Sequence, residues 1–288
     1  MPTTPTTPCL LLDELRMDRN IARLRSRLQT LHVSFRPHLK TAKSIDVARR
    51  LVLTPTGPAT VSTLKEAEEF SAAGITDLLY AVGITPDKLT RVVELRSRGV
   101  DLCVILDSME QAHAVVAKCR EVGTSIPVLI EIDCDGHRAG VRPGDSLLIE
   151  IGRTLHAGGA QLRGVMTHAG GSYDSRSVDE LELAAERERA AVVRCAEALR
   201  NAGLPSPIVS VGSTPTAHFA KDLSGVTEVR AGVFVFFDLV MAGIGVCSLD
   251  DIAVSVLATV IGHRPDNQII DDAGWMAVSR DRGTANQR

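Results

Sequence analysis

The chain has 288 residues, 44% of them apolar and 23% charged, with a net charge of −3. That suits a packed core large enough for one α/β barrel or two ordinary domains. The small net charge gives no electrostatic reason to expect nucleic acid or an anionic membrane surface as partner, and no apolar run approaches the ~20 residues that span a bilayer.

Residues 1–8 are Pro/Thr-rich and carry no charged region ahead of an apolar stretch. They read as a flexible tail and not as a signal peptide, so a cytoplasmic location is the default. Cys9, Cys103, Cys119, Cys134, Cys195 and Cys247 are scattered, with no C-x-x-C pair. This argues against a disulfide framework and against a structural zinc site.

A helix over roughly 17–30 comes first. Short β-branched runs then alternate with longer amphipathic segments. Strands are predicted over 33–36, 60–62, 77–81, 101–106, 127–132, 162–167, 207–211 and 227–231. Helical patterns lie between them over 43–53, 64–73, 86–98, 108–122, 144–157 and 177–202, with a shorter one near 215–222. Thr63 and Ser108 stand where helix N-caps belong, and Gly74, Gly99, Gly123 and Gly203 stand just past helix ends. Eight such units imply parallel pairing through right-handed crossovers and close most naturally into a (β/α)8 TIM-like barrel over 9–245. An open doubly wound sheet is the runner-up. From 246 the texture changes: Val254 to Val260, Gln268 to Ile270 and Met276 to Ser279 read as strands without helices. This is the start of an incomplete C-terminal β region over 246–288, and the chain stops partway into it.

Arg36-Pro-His-Leu-Lys40-Thr-Ala-Lys43 follows the first strand. A lysine placed among cationic groups and partly removed from water gives up its proton more easily, and an unprotonated amine can form a Schiff base. The alternative is an ordinary strand-to-helix turn with solvated lysines. Active sites of such barrels lie at the C-terminal strand ends. There this chain places Asp133 to Gly140, Thr167 to Tyr173, Gly212-Ser213-Thr214 and Arg230-Ala-Gly232. Gly212, Ser213 and Thr214 suit a phosphate cradle, although Gly-Ser-Thr is common in turns. Arg138 could instead be a counter-ion to Asp133 or Asp135, His168 a satisfied barrel histidine, and Tyr173 part of a packed surface loop. A Schiff-base lysine, a phosphate cradle and arginines on one rim suggest pyridoxal 5'-phosphate.

These residues carry a resemblance. Arg36 to Lys43 resembles the cofactor-lysine motif of the D-threonine aldolase and D-serine dehydratase group, pyridoxal-phosphate enzymes of the alanine racemase fold type. The segment Glu131 to Gly140 is similar to the one whose arginine, here Arg138, approaches the cofactor phenolic oxygen. Thr167 to Tyr173 resembles the run whose His and Tyr line the site. Gly212 to Thr216 resembles the phosphate loop, and Val229 to Gly232 the segment that sets an arginine, here Arg230, at the pyridine nitrogen. Asp272 to Gly283 looks like the start of the family's β domain.

The chain departs from the pattern at Gly171 and Ala42, where the group often has histidines. The resemblance implies a divalent metal (Zn, Mn or Mg) bound by a His-x-Cys or His-x-Asp pair near the chain end. No histidine or cysteine follows Trp275, and the spacing after His263 is wrong, so no metal ligands are expected in this chain.

The resemblance further implies a homodimeric lyase for D-3-hydroxy amino acids, a dehydratase of the D-serine or D-3-hydroxyaspartate type, with Lys40 and His168 catalytic. A D-threonine aldolase shares the cofactor and differs in the bond broken. An amino-acid racemase would need a second base on the opposite face, often a tyrosine from a partner; Tyr80 and Tyr173, the two tyrosines, both fall in the barrel. An inactive cofactor-binding fragment is a further alternative.

Overall fold

The computed structural model describes residues 5–275 and Ala277. Residues 1–4 of the expected tail, residues 276, 278 and 279 of the expected last strand and the polar tail beyond lie outside the described residues. In chain order the elements are β1 (Cys9–Leu12), α1 (Glu14–Thr30), β2 (Ser34–Pro37), α2 (Ile45–Leu51), β3 (Ala59–Val61), α3 (Leu64–Ala72), β4 (Asp77–Gly83), α4 (Leu89–Ser97), β5 (Asp101–Leu106) and α5 (Met109–Val122). They continue as β6 (Pro127–Ile132), α6 (Leu147–Ala157), β7 (Gln161–Thr167), α7 (Val178–Asn201), β8 (Ile208–Val211), α8 (Thr214–Phe219), β9 (Glu228–Ala231), α9 (Leu239–Gly243), β10 (Val254–Leu257), β11 (Val260–His263) and β12 (Ile269–Asp271).

The eight strands β2 to β9 form one parallel sheet in the order β2-β9-β8-β7-β6-β5-β4-β3. The two ends of that order meet. His38 bridges Thr60 in parallel register, and the Leu39 N–H donates to the Thr60 carbonyl at 2.9 Å. The sheet is therefore a nearly closed barrel with helices between its strands, as the alternation predicts, and its thinnest seam lies between β2 and β3.

Local chemistry accounts for the helix ends. Thr63 caps α3 by accepting from the Glu66 N–H at 3.0 Å, and Ser108 caps α5 by accepting from Gln111 at 3.3 Å. Gly123 closes α5 at φ +68°, a conformation other residues rarely adopt. Two packing layers result. The main core lies between strands and helices and includes Leu24, Leu78, Leu102 and Val128. A smaller cluster of strand residues only, Leu79, Cys103, Ile105, Leu129 and Met166, fills the barrel on the β4 to β7 side.

The opposite side of the interior is charged. Arg36 Nε donates to Glu228 Oε2 at 2.8 Å and its Nη1 to Asp77 Oδ1 at 2.7 Å. Ser210 Oγ donates to Glu228 Oε1 at 2.7 Å and accepts from Arg230 Nε at 2.8 Å. Buried charges persist where each finds partners, and this chain of bonds carries charge up to Arg230, just beneath the C-terminal strand ends.

Three elements differ from the sequence reading. The expected helix over 86–98 begins as a 3-10 turn, Pro86–Lys88, because Pro86 fits a first turn but not a helix interior. The expected strand Val254 to Val260 is two strands in different sheets. Cys9–Leu12, not predicted as a strand, pairs antiparallel with β10 from Cys9 opposite Leu257 to Leu12 opposite Val254. Among the described residues no helix is long and apolar enough to cross a membrane.

Candidate active site

At the C-terminal mouth of the barrel one cavity is lined by Lys40, His168, Tyr173, Gly212, Ser213, Thr214, Arg230 and Gly232, together with His38 and Thr41. The ends of four strands, β2, β7, β8 and β9, or the loops that follow them deliver these residues, so positions far apart in sequence converge only through barrel closure. A larger cavity of about 310 Å³ lies behind the 169–175 segment, beside Cys134 and Glu188, but holds no lysine.

Lys40 sits one turn past β2, at the seam. Its side chain is open to solvent from the mouth yet crowded by protein below. Burial, then Arg138 and Arg230, lower its pKa, while Glu66 opposes them. Such an amine is closer to its unprotonated, nucleophilic form than a free lysine.

Two histidines flank it. His168 Nδ1–H donates to the Gly212 carbonyl at 2.5 Å, which leaves Nε2 as an acceptor. Burial, with Arg230 and Arg138 nearby, holds its pKa down at about 3, so the ring is neutral at pH 7. His38 accepts the Lys40 N–H on Nδ1 at 3.4 Å, so its Nε2–H points to Ser62 Oγ at 3.3 Å. Burial and the neighbouring Lys40, Arg230 and His168 keep it well below its ordinary pKa.

Opposite them lies a cradle. Gly212 approaches the Arg230 carbonyl so closely that a Cβ would stand 1.9 Å from that oxygen, and one on Gly232 would stand 3.1 Å from Thr41 Oγ1. Ser213 caps α8 in a reciprocal pair with Thr216, and its hydroxyl lies 2.9 Å from that of Ser172. Ser213 therefore has structural duties, whereas Thr214 Oγ1 is buried with no hydrogen-bond partner among the described residues. The Tyr173 hydroxyl meets the Thr214 backbone N–H, and burial pushes its pKa up to about 12. Its ring stands 6.2 Å from that of His168.

Arg230 is 4% exposed and donates through Nη2 to the Thr167 carbonyl as well as to Ser210. Arg138 does not line the cavity. It is exposed on the loop after β6 and stands over Gly170, where a Cβ would come within 2.9 Å of its Nε. It is not a counter-ion: Asp133 accepts from the Gly136 N–H at 2.8 Å and Asp135 from Gly171 at 2.8 Å. Those carboxylates hold the loop, and Arg138 is felt at the cavity through its charge, which lowers the pKa of Lys40 and His168.

Sequence reasoning missed Glu188. Its carboxylate, 2% exposed, accepts from the backbone N–H groups of Ala169 at 3.0 Å and Gly212 at 2.9 Å, tying two cavity loops to α7. Burial raises its pKa, against hydrogen bonds that lower it. A signal existed: Glu188 is the one acid on the apolar stripe Leu181, Ala185, Val192, Cys195, Leu199. Glu131 is a second case. It lies on β6 two residues beyond inward-facing Leu129, and burial next to Asp107 raises its pKa to about 7.

The residues fit pyridoxal phosphate on these observations: an amine that readily loses its proton, a glycine-floored recess that a Cβ would fill, and a buried hydroxyl awaiting an acceptor. Among the described residues no group of three or more His, Cys, Asp or Glu side chains could hold a metal ion.

Comparison with known proteins agrees with this geometry. Residues 12–240 match the family model described as alanine racemase, N-terminal domain, and residues 253–288 match a serine dehydratase domain. The chain is 58% identical to D-threo-3-hydroxyaspartate dehydratase of Delftia sp. (strain HT23), over 99% of this chain and 76% of that protein. The solved structure of that enzyme superposes with TM-score 0.97, and a cysteine variant of it has been solved in a metal-free form. D-serine dehydratase of Dictyostelium discoideum is 30% identical over 98% of this chain and 76% of its own length. Alanine racemase of Clostridium difficile 630 shares the fold, with TM-score 0.70 at 18% identity, over 91% of this chain and 70% of that one.

Proposed function

The chain belongs to the alanine racemase N-terminal-domain family, in its branch of D-3-hydroxy amino acid dehydratases and aldolases, and from that premise we propose that it is a pyridoxal-phosphate-dependent lyase whose substrate is D-threo-3-hydroxyaspartate or a close D-3-hydroxy amino acid. One observation carries the assignment: Lys40, held away from its ordinary protonation, faces the partnerless Thr214 hydroxyl across a single cavity.

Pyridoxal phosphate supplies an aldehyde that condenses with amines and a ring that accepts the electron pair left at Cα. Lys40 Nζ is the group to hold the aldehyde. Thr214 Oγ1, with the backbone around Ser213 and Gly232, is placed to donate to the phosphate. Arg230, beneath, is assigned to the ring nitrogen and Arg138, above, to the phenolic oxygen. With cofactor and substrate bound, Lys40 would be the group to take the proton from Cα, and burial with Arg138 and Arg230 nearby lowers its pKa toward that role. His168, neutral and fixed through Nδ1, offers Nε2 as an acceptor and packs beside Tyr173. The β-hydroxyl then leaves in a dehydratase, whereas an aldolase would break Cα–Cβ instead. The 58% identity to a dehydratase favours loss of the hydroxyl. Tyr80 cannot serve as a racemase base, since it is 2% exposed and its hydroxyl accepts from Lys88 Nζ at 3.2 Å.

The test is direct. The protein is mixed with pyridoxal phosphate, its visible absorbance recorded, the adduct reduced with borohydride and the labelled peptide mapped. Turnover of D-threo-3-hydroxyaspartate is then followed by ammonia release, with and without added divalent metal. A label on Lys40 and ammonia release support the assignment; a label elsewhere, or conversion of D- to L-amino acid, overturns it.

A further inference from the structure

Lys40 and Lys43 share one tight turn. The Lys43 N–H donates to the Leu39 carbonyl at 2.9 Å, and Lys43 takes a left-handed φ of +46°. That turn aims the Lys43 ammonium at Glu66 on α3, with Nζ 3.5 Å from Oε1. Glu66 is 8% exposed, an unusual depth for a carboxylate beside an exposed lysine. Its Oε2 is fixed by the Ser62 N–H at 2.8 Å, while Oε1 has no hydrogen-bond partner among the described residues. The Ser62 hydroxyl meets His38 Nε2, and His38 Nδ1 meets the Lys40 N–H. Ser62, His38 and Glu66 thus form a short circuit around the base of the Lys40 side chain, at the seam where β2 meets β3.

The charged and titratable groups around Lys40 come from every side: Arg138 after β6, Arg230 on β9, His168 after β7, His38 and Lys43 on its own segment, and Glu66 on α3. Of these Glu66 is the one anion. When Lys40 is joined to the cofactor it needs no counter-charge. When the substrate displaces it and it gains a proton, an ammonium must be held near two arginines.

We propose that Glu66 is a positioning residue for Lys40: its Oε1, which is ion-paired to Lys43 but accepts no hydrogen bond among the described residues, receives the released Lys40 ammonium and keeps it at the seam, ready for the next transfer. The proposal rests on Lys40 being the cofactor lysine. Lys43 is the competitor that holds the carboxylate while Lys40 is engaged. Glu66 is not among the residues lining the cavity and would act through Lys40.

The experiment uses the full chain freed of cofactor and a lysine-directed acylating reagent at pH 8. Initial labelling of Lys40 is read by peptide mass in wild type, Glu66→Gln, Lys43→Met and the double variant. Glutamine keeps the acceptor for Ser62 and removes only the charge, so Lys40 labelling is expected to rise roughly 3-fold to 10-fold. Lys43→Met is expected to slow it, by leaving Glu66 to Lys40 alone. In the double variant the Lys43→Met effect disappears, because there is no carboxylate left to compete for. Unchanged labelling in Glu66→Gln, or strictly additive effects, would overturn the proposal. Glu66→Asp, which keeps the charge but withdraws Oε1, is expected to fall between wild type and Glu66→Gln, and with Lys43→Met it decides the matter if Glu66→Gln does not fold. Borohydride mapping of the wild type separates the two failures: a label away from Lys40 sinks the cofactor assignment, whatever Glu66 does.

Discussion

His168 and Gly212 are joined by a 2.5 Å hydrogen bond from Nδ1 to the carbonyl, so the loop after β7 and the cradle after β8 move as one piece. The bond also fixes the histidine tautomer, which is why His168 is read as an acceptor through Nε2 and not as a cation. Several measurable consequences rest on this and on the other contacts of the cavity.

Lys40→Ala should fold, because the lysine side chain is exposed at the barrel mouth. It should show no borohydride-fixable visible absorbance with pyridoxal phosphate. Turnover should fall on the order of 10³-fold or more. Wild-type-like absorbance from the variant would remove Lys40 from the mechanism.

Thr214→Val separates binding from folding. The hydroxyl has no hydrogen-bond partner among the described residues, so the substitution should change stability by less than about 0.5 kcal/mol. Loss of a hydrogen bond to a charged phosphate should weaken pyridoxal phosphate binding roughly tenfold. A stability loss without a change in affinity would show that Thr214 serves the fold.

Glu188→Ala strands two buried N–H groups, those of Ala169 and Gly212. Urea unfolding of the cofactor-free protein should reveal a loss of about 2–4 kcal/mol. Both N–H groups bond to the same oxygen, so Glu188→Gln, which keeps one acceptor oxygen, should lose less, whereas Glu188→Ala should also bind cofactor more weakly because the cradle is no longer tied to α7.

Acid should unfold the protein early. His168 is held at about 3 and His218 at about 4, both by burial first, and His38 is held well below its ordinary value. Free histidine titrates near ~6.5, so below that pH the unfolded chain binds protons that the native state refuses. Stability from these residues is complete above pH ~6.5 and declines as pH falls toward about 3. Urea midpoints at pH 7.5 and pH 5 should differ accordingly, and His218→Gln should flatten the dependence.

Much of this was legible in the chain. The runs 101–106 and 127–132 are mostly apolar, with only Asp101 and Glu131 charged, as strands covered on both faces tend to be, and their limits agree with β5 and β6. Lys40, Gly212 and Arg230 stood out because chemistry and turn geometry restrict residue choice there. What stayed hidden was non-local. Cys9–Leu12 has three leucines in a row and no alternation, and its partner β10 lies near the other end of the sequence. Glu66 and His38 look unremarkable one by one, and matter only because the closure of β2 on β3 makes them neighbours of Lys40.

That closure is also where the barrel wall is weakest. Seven neighbouring strand pairs are stitched by ladders, but β2 and β3 are held by one bridge and few main-chain bonds. Opening costs least where the fewest bonds must break, so solvent should reach the amides of 38–40 and 59–61 sooner than those of β5 or β6. A ligand anchored to Lys40 would weight the β2 lip of that seam, and deuterium uptake at 38–40 should slow on loading while the far wall stays unchanged. The fold has placed its reactive amine on the hinge side of its own door.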